Sequence, residues 1–260
     1  MRTHSLAIVE SRPAAAAPGS QLHWVAFEAA ALAAHCNPGQ FIQLRCDDAQ
    51  YPQRLALRSV FVTQVDVKVG RIGVVVAPHS DDGLRWLSEQ PVGKTIDVAG
   101  PYGRLPFPMA ARGTALCIGQ GEGALRMLGM VHSLHAQQTA VTFVAGDMTP
   151  HLHIAPQLLP IDVEYLAGAE SVLRIAEKRL PDLIRWADHV YIAASLPVVS
   201  AIRHIIRQTR LRPGRSLTAV CVTAPMPCAS QSCQQCRVQT RSGPRLACQG
   251  GPWFDLAALV

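Results

Sequence analysis

Residues 225–254 read PMPCASQSCQQCRVQTRSGPRLACQGGPWF. Four of the chain's eight cysteines fall in this stretch, as Cys228-x4-Cys233-x2-Cys236-x11-Cys248. Three thiols in one tight loop and a fourth returning from a hairpin make an all-sulfur donor set. That is the spacing that holds a [2Fe–2S] centre. Ala229 and Ser230 are small, so backbone N–H groups can approach the cluster sulfurs and favour the reduced state. The competing reading is a structural zinc ion on the same cysteines, which more often shows two Cys-x2-Cys pairs where here there is one. Four unligated thiols are the third reading. Cys36, Cys46, Cys117 and Cys221 are scattered and read as small core hydrophobes.

Working outward, the chain has 260 residues, of which 49% are hydrophobic and 16% charged, with a mean hydropathy of +0.16. That excludes a mostly disordered chain. The length is enough to bury a core without disulfide staples. No apolar run is long enough for a transmembrane helix, and the N-terminal residues lack the apolar segment of a signal peptide. Thiolates on iron suit a reducing cytosol, so the expected location is cytoplasmic. The net charge is +6, with the densest basic run at Arg203, Arg207, Arg210, Arg212 and Arg215. No aromatic residue interleaves with these arginines, which argues against nucleic acid. They read as a solvated helix face, or as a face for an anionic protein partner.

The first hundred residues read as β. Short runs at 6–10, 22–27, 40–46, 56–67, 71–77 and 95–99 are separated by turn signals, including Asp47-Asp48. One helix, over 83–90, has Asp81 or Asp82 as its N-cap. An antiparallel barrel is expected. Past Pro108 the pattern alternates: strands at 114–118, 140–145, 161–166, 189–194 and 217–223, helices at 122–136, 170–180 and 198–208. Such alternation predicts a parallel sheet covered on both faces. The domains expected are a barrel over 1–107, an α/β domain over 108–224 and a separate small cysteine module over 225–260. His132, His135, His151 and His153 read as surface or helix-end histidines. Ser59, Ser80 and Ser195 lack the context of a hydrolase nucleophile.

Several motifs carry a resemblance. Met226-Pro227-Cys228, Cys233, Cys236 and Ala247-Cys248-Gln249-Gly250-Gly251-Pro252-Trp253-Phe254 look like the end of one family's chains. Pro38-Gly39-Gln40-Phe41, then Gly93 to Asp97, Gly100-Pro101-Tyr102-Gly103 and Phe107 match its barrel. The chain resembles the electron-transfer subunit of NAD-dependent dihydroorotate dehydrogenase, of the ferredoxin-reductase-like superfamily. The resemblance covers the whole chain. It implies a β-barrel plus α/β fold, ferredoxin-reductase-like, with a C-terminal [2Fe–2S] module. It implies FAD in the barrel, NADH at the α/β domain, and a catalytic flavoprotein subunit as partner in a hetero-oligomer serving pyrimidine biosynthesis. Carried over to this chain, the cofactor-binding residues are Arg58, Phe61, Gly100, Gly103, Gly119, Gly121 and Gly123, and the metal ligands are Cys228, Cys233, Cys236 and Cys248. No catalytic residue for substrate chemistry is expected here, since that chemistry belongs to the partner.

The chain also differs from the family pattern. With Phe61 aligned, the family's Arg-Pro-Phe/Tyr-Ser strand places Ser59 at the arginine position and Val62 at the serine position. Arg58 lies one residue away, on the opposite strand face unless a bulge re-aims it. The family's Gly-x-Gly-Thr helix start is Pro78-His79-Ser80-Asp81-Asp82-Gly83-Leu84 here, which puts two carboxylates near the expected phosphate. In the loop Gly119-Gln120-Gly121-Glu122-Gly123, Glu122 sits where a nucleotide phosphate would meet the helix. The family's proline in that helix is Arg126, and its Cys-Gly-Pro turn reads Ala193-Ala194-Ser195. Three functions follow as alternatives: an electron-transfer subunit with FAD, a relay or scaffold subunit keeping only the cluster, and a zinc-stabilised interaction module.

Overall fold

The computed structural model describes residues 3–15, 20–46, 57–109, 111–209, 217–222, 224–228 and 232–260. The expectations at Asp47-Asp48, Ala56, Arg210, Arg212, Arg215, Thr223, Ala229 and Ser230 lie outside them. Strands β1 (Thr3–Pro13), β2 (His23–Glu28), β3 (Phe41–Leu44), β4 (Arg58–Asp66), β5 (Arg71–Val76) and β6 (Thr95–Tyr102) close a barrel in the order β1-β2-β5-β4-β3-β6. Closure leaves no free sheet edge. Among the described residues, two helices interrupt it. The first, α1 (Ala30–Ala33), was not expected from the sequence. The second, α2 (Asp82–Ser88), starts at Asp81, whose carboxylate accepts from the N–H groups of Gly83 and Leu84.

Alternation sorts β4 by face. Val60 and Val62 pack inside the barrel with Ile42, Leu44 and Val74. Phe61 points out, with Phe41 and Val75, onto the second half of the chain.

That second half is a six-stranded sheet. It contains β7 (Thr114–Gln120), followed by α3 (Glu122–Ala136), then β8 (Ala140–Gly146) and β9 (Glu164–Ala167). After α4 (Val172–Ile175) and α5 (Leu180–Trp186) come β10 (His189–Ala193), α6 (Leu196–Thr209) and β11 (Leu217–Cys221). These five strands are parallel. The single helix expected over 170–180 is instead α4 and α5. Pro181 lacks an N–H and clashes with the preceding turn, so it serves at the start of a new helix rather than inside one.

The tail does not stand apart from the sheet. It forms the hairpin β12 (Arg237–Thr240) and β13 (Gly243–Leu246), the short α7 (Ala247–Gly250) and β14 (Trp253–Asp255). Strand β14 pairs antiparallel with β11, so the sheet order is β14-β11-β10-β7-β8-β9. Of the basic run, Arg207 is exposed, whereas Arg203 is less solvated than expected. Half-buried Arg203 on α6 donates to the carbonyls of Leu256 and Leu259, because α6 packs beside the tail. Among the described residues no helix is long and apolar enough to cross a membrane.

Barrel, sheet and tail share one continuous core: Phe41 and Phe61 from the barrel, Met127 and Met130 from α3, Tyr191 from β10, and Trp253 from the tail. The close approach of α3 to the barrel needs Gly129. A methyl there would lie 2.0 Å from the Val62 carbonyl oxygen. Gly129→Ala is therefore expected to lower stability by about 1–3 kcal/mol, the range for overpacking. Thermal unfolding reads this directly. The control is Gly250→Ala, whose methyl meets nothing nearer than 3.9 Å.

Candidate functional site

Cys228, Cys233 and Cys236 are presented by the segment before β12, and Cys248 by α7. All eight cysteines of the chain are free thiols. Cys228 Sγ lies 3.0 Å from Cys233 Sγ, and Cys236 Sγ lies 3.3 Å from Cys248 Sγ. The sulfurs therefore stand in two pairs. Among the described residues, no three His, Cys, Asp or Glu side chains are gathered as a single-ion site. The pairs also differ in exposure. Cys236 and Cys248 are buried, Cys228 is half-buried and Cys233 is exposed. Burial, the Cys236 thiol and the nearby Cys228 push Cys248 up to about 12. The Cys228 thiol beside it raises Cys233. Thiols this crowded ionise together only when a cation compensates them, as metal binding does. Of the other four, Cys46, Cys117 and Cys221 are buried, as a core role requires, while Cys36 is half-buried.

The loop that begins with Cys228 is anchored on the barrel. Gln43 on β3 is 1% exposed. Its Nε2 donates to the Met226 carbonyl at 2.5 Å and the Ser59 hydroxyl at 3.2 Å, and lies 3.4 Å from the Cys228 carbonyl. Ser59 on β4 donates to the same Met226 carbonyl at 3.2 Å. A glutamine inside the otherwise apolar run Phe-Ile-Gln-Leu is the sequence signal for such an anchor.

The quoted motifs converge on a second anchor. Trp253 donates its indole N–H to the Gly39 carbonyl at 2.9 Å. Gln40 donates to the Gly103 carbonyl at 2.7 Å, and the Arg104 N–H donates to the Gly251 carbonyl at 2.9 Å. Gly103 has φ +91°, and a methyl on it would lie 2.8 Å from Pro252 Cδ. A methyl on Gly100 would lie 3.3 Å from Ile42 and the Phe41 carbonyl. Gly103 thus sits where barrel and tail interlock, while Gly100 is set by the close approach of β6 to β3 inside the barrel. Neither lines the cleft between the barrel and α3.

That cleft is lined by Ser59, Phe61, Val75, Ser80, Glu122 and Arg126, among others. The Arg126 guanidinium lies over the Phe61 ring, 5.4 Å from its centroid. Its Nη1 is buried and without a hydrogen-bond partner. Arg126 also reaches the Cys221 thiol, where it opposes the upward push of burial.

Arg58 is at the end of β4. Residues 58–61 pair with β3 in unbroken register, and the irregularity in β4 falls between Val62 and Gln64. No bulge re-aims Arg58, so it keeps the parity of Val60 and not that of Phe61. It reaches Asp81 instead, with Nε 2.8 Å from Oδ1 and Nη2 3.3 Å from Oδ2. Burial would raise the Asp81 carboxyl, but Arg58 and the Leu84 and Gly83 N–H groups outweigh it and hold the group below its ordinary value.

The glycines of the β7–α3 loop divide by role. A methyl on Gly119 would lie 2.4 Å from Ala124 Cα, and one on Gly123 would lie 2.0 Å from the Ala193 carbonyl oxygen. Both are therefore required by the packing of α3 on its sheet. Gly121 has φ +58° and faces open space, beside exposed Glu122. Three of the four histidines meet ordinary polar partners: His132 bonds the Leu158 carbonyl, His135 lies 3.6 Å from Asp162, and His151 meets the Gln21 side chain.

No protein-family model matches the chain. The dihydroorotate dehydrogenase B (NAD(+)) electron transfer subunit of Listeria monocytogenes serotype 4a (strain HCC23) is 25% identical over 243 residues, covering 85% of this chain and 86% of that one. The subunit of the same description from Shouchella clausii (strain KSM-K16) is 23% identical over 234 residues, covering 86% of each. This chain resembles those electron transfer subunits. Among solved structures, an NADH-dependent reduced ferredoxin-NADP oxidoreductase superposes with a TM-score of 0.74 at 18% identity, over 99% of this chain and 90% of that one. A ferredoxin reductase of carbazole 1,9a-dioxygenase gives 0.64 at 19% identity, over 84% and 66%. The barrel and α/β domain therefore have the ferredoxin-reductase fold.

The residues present fit the groups implied by the resemblance unequally. Four soft thiols in two pairs suit a two-iron cluster, in which each iron takes two thiolates. A single zinc ion would need all four sulfurs about 3.8 Å from one another, given Zn–S bonds of about 2.3 Å. FAD does not fit the barrel side, where Arg58 is committed to Asp81 and Phe61 to Arg126. Of the three loop glycines, Gly121 is the one that faces open space.

Two measurements check this geometry. Gln43→Leu strips the Met226 carbonyl of a buried donor and should cost about 1–3 kcal/mol, read by thermal unfolding. Asp81 is depressed in the folded state, so its contribution to stability is full above its ordinary value of 3.8 and fades as pH falls through the folded value below it. Asp81→Asn should therefore be less stable than the parent at pH 7, with the difference shrinking under acid. A constant difference at all pH values would show the ion pair to be inert.

Proposed function

We propose that this chain is the electron-transfer subunit of a two-component oxidoreductase. It holds a [2Fe–2S] cluster on Cys228, Cys233, Cys236 and Cys248 and passes electrons to or from a dihydroorotate-dehydrogenase-like flavoprotein partner. The observation that carries this reading is the pairing of the sulfurs, one pair buried and the other open to solvent. The likeness to the electron transfer subunits of dihydroorotate dehydrogenase B supports it.

A bound cluster supplies a one-electron redox change with no proton to relocate. The chain's own residues do the rest. Gln43 and Ser59 pin the backbone at Met226, so the loop carrying Cys228 is positioned by rigid barrel strands. The Ala247 N–H donates to the Cys236 carbonyl at 2.8 Å, which ties the two buried ligands to one another through the backbone. Burial of Cys236 and Cys248 keeps water from that side. The exposed Cys228–Cys233 side is where a partner's redox centre would approach, since electron tunnelling falls off steeply with distance. Substrate chemistry belongs to the partner, and the assembly is a hetero-oligomer. Cysteine-ligated iron is retained most readily in the reducing cytoplasm.

Anaerobic purification with iron and sulfide analysis tests the proposal. The expected result is iron and inorganic sulfide in equal amounts, visible charge-transfer bands and an electron paramagnetic resonance signal after dithionite. Serine at any of the four cysteines should abolish or strongly alter that signal, whereas Cys46→Ser should leave it in place. Colourless protein that carries stoichiometric zinc would falsify the proposal.

A further inference from the structure

The start of α2 shows what an anion would need there, and the chain already provides it. Asp81 Oδ1 accepts from the Gly83 N–H at 2.7 Å, the Leu84 N–H at 3.1 Å and the Arg58 Nε at 2.8 Å. Its Oδ2 takes the Arg58 Nη2 at 3.3 Å. A helix start and a guanidinium are the contacts that a phosphate oxygen seeks. Here a carboxylate of the chain takes all of them. Asp82 follows on the same turn, 3.3 Å from Arg85. A phosphate arriving at this position would meet two carboxylates and no uncommitted arginine partner in Arg58. Gly83 keeps the arrangement tight, since a methyl there would lie 2.7 Å from the Arg58 Nε.

The neighbouring cleft is filled in the same manner. Arg126 covers the outward face of Phe61. The free space left is about 70 Å³. Ordinary pockets for drug-sized ligands run to roughly 300–1,000 Å³, so this one takes a few waters and not a three-ring system.

We infer that this chain binds no FAD: the Asp81 carboxylate takes the anion-binding contacts that Arg58 and the start of α2 offer, and the Arg126 guanidinium covers the Phe61 ring. Given the reading of the chain as an electron-transfer subunit, one consequence concerns the electron donor. A nicotinamide gives up a hydride, which is two electrons and a proton together, whereas a [2Fe–2S] cluster takes a single electron. With no flavin here to divide the pair, NADH cannot reduce the cluster within this chain. Electrons enter from a redox centre on the partner.

The test uses the full chain with its cluster. Flavin released on denaturation is measured by fluorescence, and the native protein is then titrated with FAD. The expected result is no flavin released and no quenching of added FAD. Iron is bleached by dithionite but not by NADH. The variant Asp81→Asn keeps the capping oxygen of α2 and removes its charge. Combined with Arg126→Ala, it should bind FAD at least about tenfold more tightly than the parent, a change of about 1.4 kcal/mol. Circular dichroism confirms that the variant is folded. Stoichiometric FAD on the parent chain overturns the inference, and so does a folded double variant with no gain. Iron and sulfide contents of the same samples separate the two ideas. Loss of the cluster reading would leave the flavin result to stand or fall by itself.

Discussion

Trp253 is 1% exposed and gives its one polar hydrogen to the carbonyl of Gly39. That contact joins the last strand of the sheet to the turn before barrel strand β3. On one side of it β14 pairs with β11, and the Val222 N–H donates to the Pro252 carbonyl. On the other side Gly103 is pressed against Gly251 and Pro252. The tail is thereby clamped between barrel and sheet on both sides of one buried indole. Because Cys248 lies five residues before Trp253, the clamp also determines where the fourth thiol can be. An indole N–H buried without an acceptor costs about 1–3 kcal/mol, so the turn at Gly39 and the tail are coupled in folding.

The same coupling explains why the cysteine segment is not an independent module. Its hairpin is short, and a two-stranded hairpin alone is marginal in water. Its stability is borrowed from the common core, into which Cys236, Val238, Ala247, Cys248, Trp253 and Phe254 all pack. Gln43 and Ser59 then hold the other end of the segment at Met226. Both ends of the thiol-bearing loop rest on the barrel, which gives a redox centre there the rigidity that a loop by itself lacks. Of the four thiols, Cys233 is the exposed one.

The barrel–α3 cleft follows a different logic. It has the framework of a ligand site, with a helix start, an arginine and an aromatic face. Each of these is satisfied by another side chain of the same protein. Asp81 answers Arg58 and α2, and Arg126 answers Phe61. The fold is thus kept while its polar groups are paired internally. The Nη1 of Arg126 is the exception, a buried donor left without a partner.

The local grammar of the chain was legible. Helix α3 forms over 122–136 as its periodicity indicates, Asp81 caps α2, and the cysteine spacing announces a sulfur site with a hairpin return. These depend on neighbours in sequence, where propensity, capping and spacing act directly. What the sequence could not decide is what each glycine and arginine is for. Gly119 and Gly123 look like a phosphate loop in one dimension, yet in three they let α3 approach β7 and β10. Gly100 and Gly103 look like part of a cofactor signature, yet Gly100 packs on β3 and Gly103 seats the tail. Arg58 looks one residue out of place, and only the unbroken register with β3 shows that it stays on its own face and meets Asp81. Sequence alone determined the succession of barrel strands and alternating strands and helices, apart from α1 and the break between α4 and α5, and the spacing of the four tail cysteines, because these are set by short-range pattern. Tertiary structure decided which sites are open and which are already filled, because that depends on contacts between segments far apart in the chain.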